Sequence, residues 1–177
     1  MASNGEFVYP TSLFTNVPEE PGIYAFYQNY PRASAPCAYV GSSGTLRTRI
    51  KHHLCLQIST VGSKGKAVSL NIDQLTDLNY WTHEKFSEKK YLHAAEFLLM
   101  DLANPLYRAE SNIILEAKNL LDKNHPDYDG IFIEEMQTFL QNASGTVALP
   151  SMVVMHNRIT ELEKRMALIE KLFESTE

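Results

Sequence analysis

Cysteine is scarce in this 177-residue chain, with only Cys37 and Cys55 present. Two thiols cannot build a disulfide framework or a structural zinc site made mainly of cysteine, and a reducing cytoplasm fits that usage. Both read as small buried apolar side chains rather than reactive thiols. No apolar run approaches the roughly 20 residues that a membrane helix needs, so no membrane partner is expected. Met1 to Pro10 has neither a basic start nor an apolar stretch, which argues against a signal peptide. Acidic residues are also missing from one long stretch. Between Pro21 and Ile72 there is no Asp or Glu, whereas Arg32, Arg47, Arg49, Lys51, Lys64 and Lys66 all fall there. The formal net charge of −5 would by itself disfavour a polyanionic partner. Steering charge is local, however, and a basic stretch on an acidic body can still hold phosphates. The same cluster would equally suit a solvated face.

What is present is ordinary globular composition, 44% hydrophobic and 21% charged, enough for one full core plus an appendage. Alternation around Ile23–Tyr27, entered through Pro21-Gly22, predicts a strand. A second short strand is expected at Ala38–Val40, joined to the first as a hairpin through the loop Asn29–Pro36. Thr45 is placed to cap a helix from Leu46 to about Ile58, whose stripe is Ile50, Leu54 and Ile58. Leu78–Phe86 reads as a third strand, and Ser87 as the cap of a strong helix that ends at Asn104-Pro105. Further helices are expected at Ile113–Lys123 and Ile131–Gln141. The chain then divides into an N-terminal extension (1–20), a core (21–112), a helical extension (113–142), a linker (143–150) and an oligomerisation helix (151–177).

That last segment has the cleanest period. Met152, Met155, Ile159, Leu162, Met166, Ile169 and Phe173 alternate spacings of three and four, which is a heptad a/d seam. Arg158 and Arg165 occupy g positions, and Glu163 and Glu170 occupy e positions. A parallel pair sets each arginine against the following glutamate, so a parallel homodimer is expected. The alternative is a helix that lays its stripe on its own domain; a narrow a/d-only seam favours self-association. Whether dimers pair further is open.

Several polar residues stand out. Glu96 is the only acid in the nearly apolar stretch Tyr91–Met100, and burying a lone carboxylate is costly unless a cation or basic group meets it. It could also lie on an exposed edge of the helix. Arg49 and His53 are four apart and share a helix face. Tyr24 and Tyr39 stand on neighbouring strands, where tyrosines are usually core residues.

Taken in order, Gly22-Ile23-Tyr24 is followed 15 residues later by Tyr39-Val40-Gly41, and Arg49 lies ten residues past Tyr39. His53, Glu96, the Asn104-Pro105 break and Asn112 come next. This order and spacing, from about Pro21 to Asn112, resembles the GIY-YIG nuclease family of homing endonucleases, excision-repair nucleases and some restriction enzymes. Ser42 stands where the repair branch carries lysine, and His53 where it carries tyrosine, so the site is closer to the homing and restriction branches.

The resemblance implies an α+β fold: a small, mainly antiparallel three-stranded sheet flanked by helices, with the coiled-coil helix added. It implies a metal-dependent DNA endonuclease. Glu96 would be the single protein carboxylate on a divalent cation, magnesium or another such as manganese, which keeps waters of its own. Arg49 would clamp the scissile phosphate through its planar fork. Tyr24 and Tyr39 would position the attacking water and one of them, Tyr24 rather than Tyr39, would accept its proton, with His53 as the competing base; the choice among the three stays open. Asn112 would fix the site by hydrogen bonds. Arg47, Lys51, Lys64 and Lys66 are the candidate DNA contacts. With a dimer, this suggests a sequence-specific restriction or phage-defence enzyme. A non-catalytic DNA-binding module on the same scaffold and a structure-specific repair nuclease are the other readings.

Overall fold

The structure, a computed structural model, describes residues 9–28, 37–55, 74–150, 159–167 and 169. Lys64, Lys66 and the loop Asn29–Pro36 lie outside the described residues. Strand β1 (Gly22–Gln28) pairs antiparallel with β2 (Cys37–Ser43) on one side and with β3 (Leu75–Thr82) on the other. β3 also pairs antiparallel with β4 (Gly145–Ala148), which gives a four-stranded sheet in the order β2-β1-β3-β4. The fold is therefore mixed α/β with an antiparallel sheet, one strand larger than expected.

The fourth strand corrects the linker expected at 143–150. Gly145–Ala148 is short and half-exposed, so its own pattern is weak; what makes it a strand is the ladder offered by β3. A Cβ at Gly145 would meet the Tyr80 ring and hydroxyl, so a larger residue there would need that ring to shift. Leu149 is buried just beyond it.

Helix α1 (Leu46–Leu54) packs on β1, β2 and a single-turn 3-10 helix at Thr11–Phe14. Its start differs from expectation. Thr45 sits at the N-cap but its hydroxyl makes no capping bond. The first-turn amides are instead satisfied from the preceding segment: Leu46 N donates to Glu20 O, Arg47 N to Pro18 O, and Thr48 N to the Glu19 carboxylate. Residues 9–20 thus serve as part of the domain rather than as an extension, with Tyr9, Phe14 and Val17 in the core.

On α2 (Lys89–Ala103) the stop is as expected. Asn104 adopts a left-handed conformation with φ 42°, closes the last turn onto Met100 O, and precedes Pro105. The start is not: Ser87 hydrogen-bonds Glu84 O inside a 3-10 turn at Glu84–Ser87, and Glu88 takes the N-cap. That turn also ends β3 earlier than the expected Phe86. Helices α3 (Leu115–Leu121) and α4 (Gly130–Phe139) pack against α2. After Pro105 the chain lies along the outer edge of β2, where Leu106 N donates to Cys37 O and Tyr107 N to Ala38 O.

Residues 159–167 and 169 are helical, and the seam residues Ile159, Leu162, Met166 and Ile169 are 41–63% exposed. Met152, Met155, Arg158, Glu170 and Phe173 fall outside the described residues. Among the described residues no helix is long and apolar enough to cross a membrane.

Candidate active site

Register decides which side chains meet. Opposed residues of an antiparallel pair share a face, so Tyr24 lies with Gly41 and Tyr80, and Phe26 with Tyr39 and Leu78. The alternate residues Ile23, Ala25, Val40 and Ser42 face the other way. Helix α1 covers the tyrosine face and brings His53 onto it. α2 packs from the Ser42 side and carries Glu96.

The tyrosine face holds a tight aromatic nest. Ring centroids lie 5.6 Å apart for Tyr24–His53, 6.0 Å for Tyr39–His53 and 6.1 Å for Tyr24–Tyr39, with Phe26 5.8 Å from His53. Gly41 is what allows the two tyrosines to converge. A Cβ there would stand 2.7 Å from the Tyr24 hydroxyl and 2.8 Å from Tyr39 Cε1.

The Tyr24 hydroxyl and His53 Nε2 are hydrogen-bonded at 2.7 Å, and both residues are buried. Nδ1 of His53 is buried with no hydrogen-bond partner among the described residues. Burial first, then the Arg49 and His52 charges, lowers His53 to about 3, so the ring is neutral at ordinary pH. Burial also raises Tyr24 well above its usual 10; Tyr39 and Glu96 add to the rise and Arg49 opposes it. Tyr39 is pushed up to about 12 by burial and by Glu96, with Arg49 and Tyr24 pulling it back.

Glu96 is 3% exposed and accepts a 2.6 Å hydrogen bond from Ser42 Oγ. Burial raises its carboxyl to about 7, against the Ser42 bond and the Arg49 charge. No ion pair within 4.0 Å reaches it among the described residues. A buried carboxylate with one neutral partner suits a cation that brings most of its ligands as water. A closed protein cage does not describe the site: no group of three or more His, Cys, Asp or Glu side chains gathers among the described residues.

The structure thus brings Tyr24, Tyr39, Arg49, His53 and Glu96 together. Asn112 is different. It ends a 3-10 turn at Glu110–Asn112, is exposed, and makes no side-chain hydrogen bond among the described residues. Arg47 is turned to another task, with Nε donating to Val17 O at 2.6 Å and facing Glu19 at 3.8 Å. Lys51 is half-buried on α1 and forms no ion pair among the described residues. Ser42 was not singled out from sequence as part of the site. Strand alternation was the available signal, since it directs residue 42 to the face opposite Gly41.

Comparison with protein-family models, with curated proteins and with solved structures found no match for this chain.

Proposed function

We propose that this chain is a metal-dependent DNA endonuclease of the GIY-YIG kind that hydrolyses phosphodiester bonds. The observation that carries this reading is the convergence of Tyr24, Tyr39, Arg49, His53 and Glu96 from four separate elements, β1, β2, α1 and α2. A surface polar cluster would not need two buried titratable groups, His53 and Glu96, each lacking an ion-pair partner among the described residues. Titratable groups perturbed by burial and by specific charged neighbours cluster at functional sites.

A magnesium or manganese ion held by Glu96 and water would supply Lewis-acid stabilisation of the scissile phosphate and the leaving 3′ oxygen. Arg49 presents its planar fork to a non-bridging phosphate oxygen. Tyr24 accepts a proton from the attacking water as its own hydroxyl proton passes to His53 Nε2, along the 2.7 Å hydrogen bond. His53 starts neutral, as the relay needs; the same burial makes it a weak base, so the relay carries the proton only as the water is acidified by the cation that Glu96 would hold. Tyr39 orients the water against Tyr24.

The exposed seam Ile159, Leu162, Met166 and Ile169 supports a parallel homodimer. Two-fold symmetry would set two sites against two strands, suited to a palindromic sequence and a double-strand cut. The basic, acid-free stretch from Pro21 to Ile72 contributes the phosphate-binding surface.

The test is cleavage of supercoiled and linear DNA with magnesium, comparing the wild type with Glu96→Ala. Discrete products from the wild type alone are expected. DNA binding without cleavage by either protein, on branched as well as linear DNA, would replace the nuclease with a non-catalytic binding module.

A further inference from the structure

Ser42 has no part in the chemistry described so far, yet it makes the one hydrogen bond that Glu96 receives among the described residues. At 2.6 Å the contact falls in the short range of a hydroxyl donating to a carboxylate. Its donor is carried by a strand whose register is fixed at Ile23↔Ser42, next to the close-packed Gly41. Its acceptor sits in the 15-residue helix α2, among the buried neighbours Ala94 and Ala95. Both backbones are therefore set by rigid elements, and the hydroxyl occupies Oε2 for as long as the bond is kept.

We propose that Ser42 is a positioning residue: by occupying Oε2 it makes Glu96 a one-oxygen ligand and biases the site toward small octahedral cations over calcium. The inference rests on the nuclease reading of the site. Magnesium demands a near-ideal octahedron at about 2.0–2.1 Å, keeps several waters and binds through one or two carboxylates; manganese shares the preference for octahedral oxygen ligands. Calcium takes six to eight oxygens at roughly 2.3–2.6 Å and commonly chelates both oxygens of a carboxylate. With Oε2 held, chelation requires loss of the Ser42 bond, whereas single-oxygen binding leaves it in place. Groups that orient a ligand in this way typically change metal affinity by about 10–100-fold.

The experiment measures manganese binding to the full chain by the free-ion paramagnetic signal, with calcium as competitor. The proteins are the wild type, Ser42→Ala, Ser42→Thr and Glu96→Gln. Ser42→Ala is expected to weaken manganese binding about tenfold and to narrow the manganese-over-calcium preference at least about fivefold. Ser42→Thr, which keeps the hydroxyl, restores both. Should Ser42→Ala fail to fold, Ser42→Cys replaces it, since a thiol fills the space but donates weakly. An unchanged preference in Ser42→Ala or Ser42→Cys, with binding abolished in Glu96→Gln, overturns the role of Ser42 and leaves the nuclease reading standing. So does an equal loss in Ser42→Thr and Ser42→Ala, which would mark a packing effect. Wild-type binding that survives Glu96→Gln overturns both.

Discussion

Burial lifts the Glu96 carboxyl from 4.5 to about 7, and that shift has a sign for stability. A raised folded-state value means its contribution is present in full below pH 4.5 and is lost as pH rises through 7. At pH 8 the ionised, cation-free carboxylate therefore costs ~3 kcal/mol relative to acid conditions. Glu96→Gln is expected to melt at a higher temperature than the wild type at pH 8, with the gap closing toward pH 4.5; a gap independent of pH would disprove it. His53 runs the other way. Its value is lowered to about 3, so its stability is present above 6.5 and drains as pH falls toward 3. Cleavage should follow Glu96 instead, rising between about pH 6 and 8. More magnesium should move that rise to lower pH, because the ion competes with the proton for one carboxylate. At Gly41 the prediction is steric. Gly41→Ala drives a methyl into Tyr24 and Tyr39, so it should cost about 1–3 kcal/mol of stability and at least roughly 100-fold in rate. A variant as active as wild type would show that the two rings need not converge.

At the scale of elements, signals that are local in the chain were legible and borrowed ones were not. Asn104-Pro105 announces the end of α2 because the left-handed cap and the proline both act within a few residues. The start of α1 gives no such notice. Thr45 looks like its cap, yet the bonds come from Pro18, Glu19 and Glu20, a pairing that exists only once the chain has folded. Strand β4 is hidden for the same reason, since β3 supplies its partner bonds. In the site, Tyr24, Tyr39, Arg49, His53 and Glu96 could be read as a spaced set. Ser42 was legible only as a departure from the repair branch, its bond to Glu96 needing the β2 register, and Asn112 was read on order alone. Glu19 gives the element-scale prediction. Its carboxylate accepts from both the amide and the hydroxyl of Thr48, so Glu19→Ala should lower stability by about 1 kcal/mol in denaturant melts. No change would move the capping entirely to the backbone carbonyls of Pro18 and Glu20.

For the whole molecule, the exposed a/d residues predict assembly through the C-terminal helix. A charge at a seam position opposes a like charge in the partner and leaves the domain untouched. Leu162→Lys is therefore expected to sediment as a monomer with an unchanged near-ultraviolet spectrum. It should also shift plasmid cleavage from linearisation toward nicking. Sedimentation as a dimer would assign self-association to another surface.

The backbone that leaves α2 bears on how copies meet. Leu106 and Tyr107 take up the outermost carbonyls of the strand that carries Tyr39 and Gly41. The first two residues of the outer edge of β2 are thus already engaged by the chain itself, so a foreign strand cannot pair with Cys37 and Ala38 there. Crowded copies find that end of the sheet's edge closed as a template for fibrous growth.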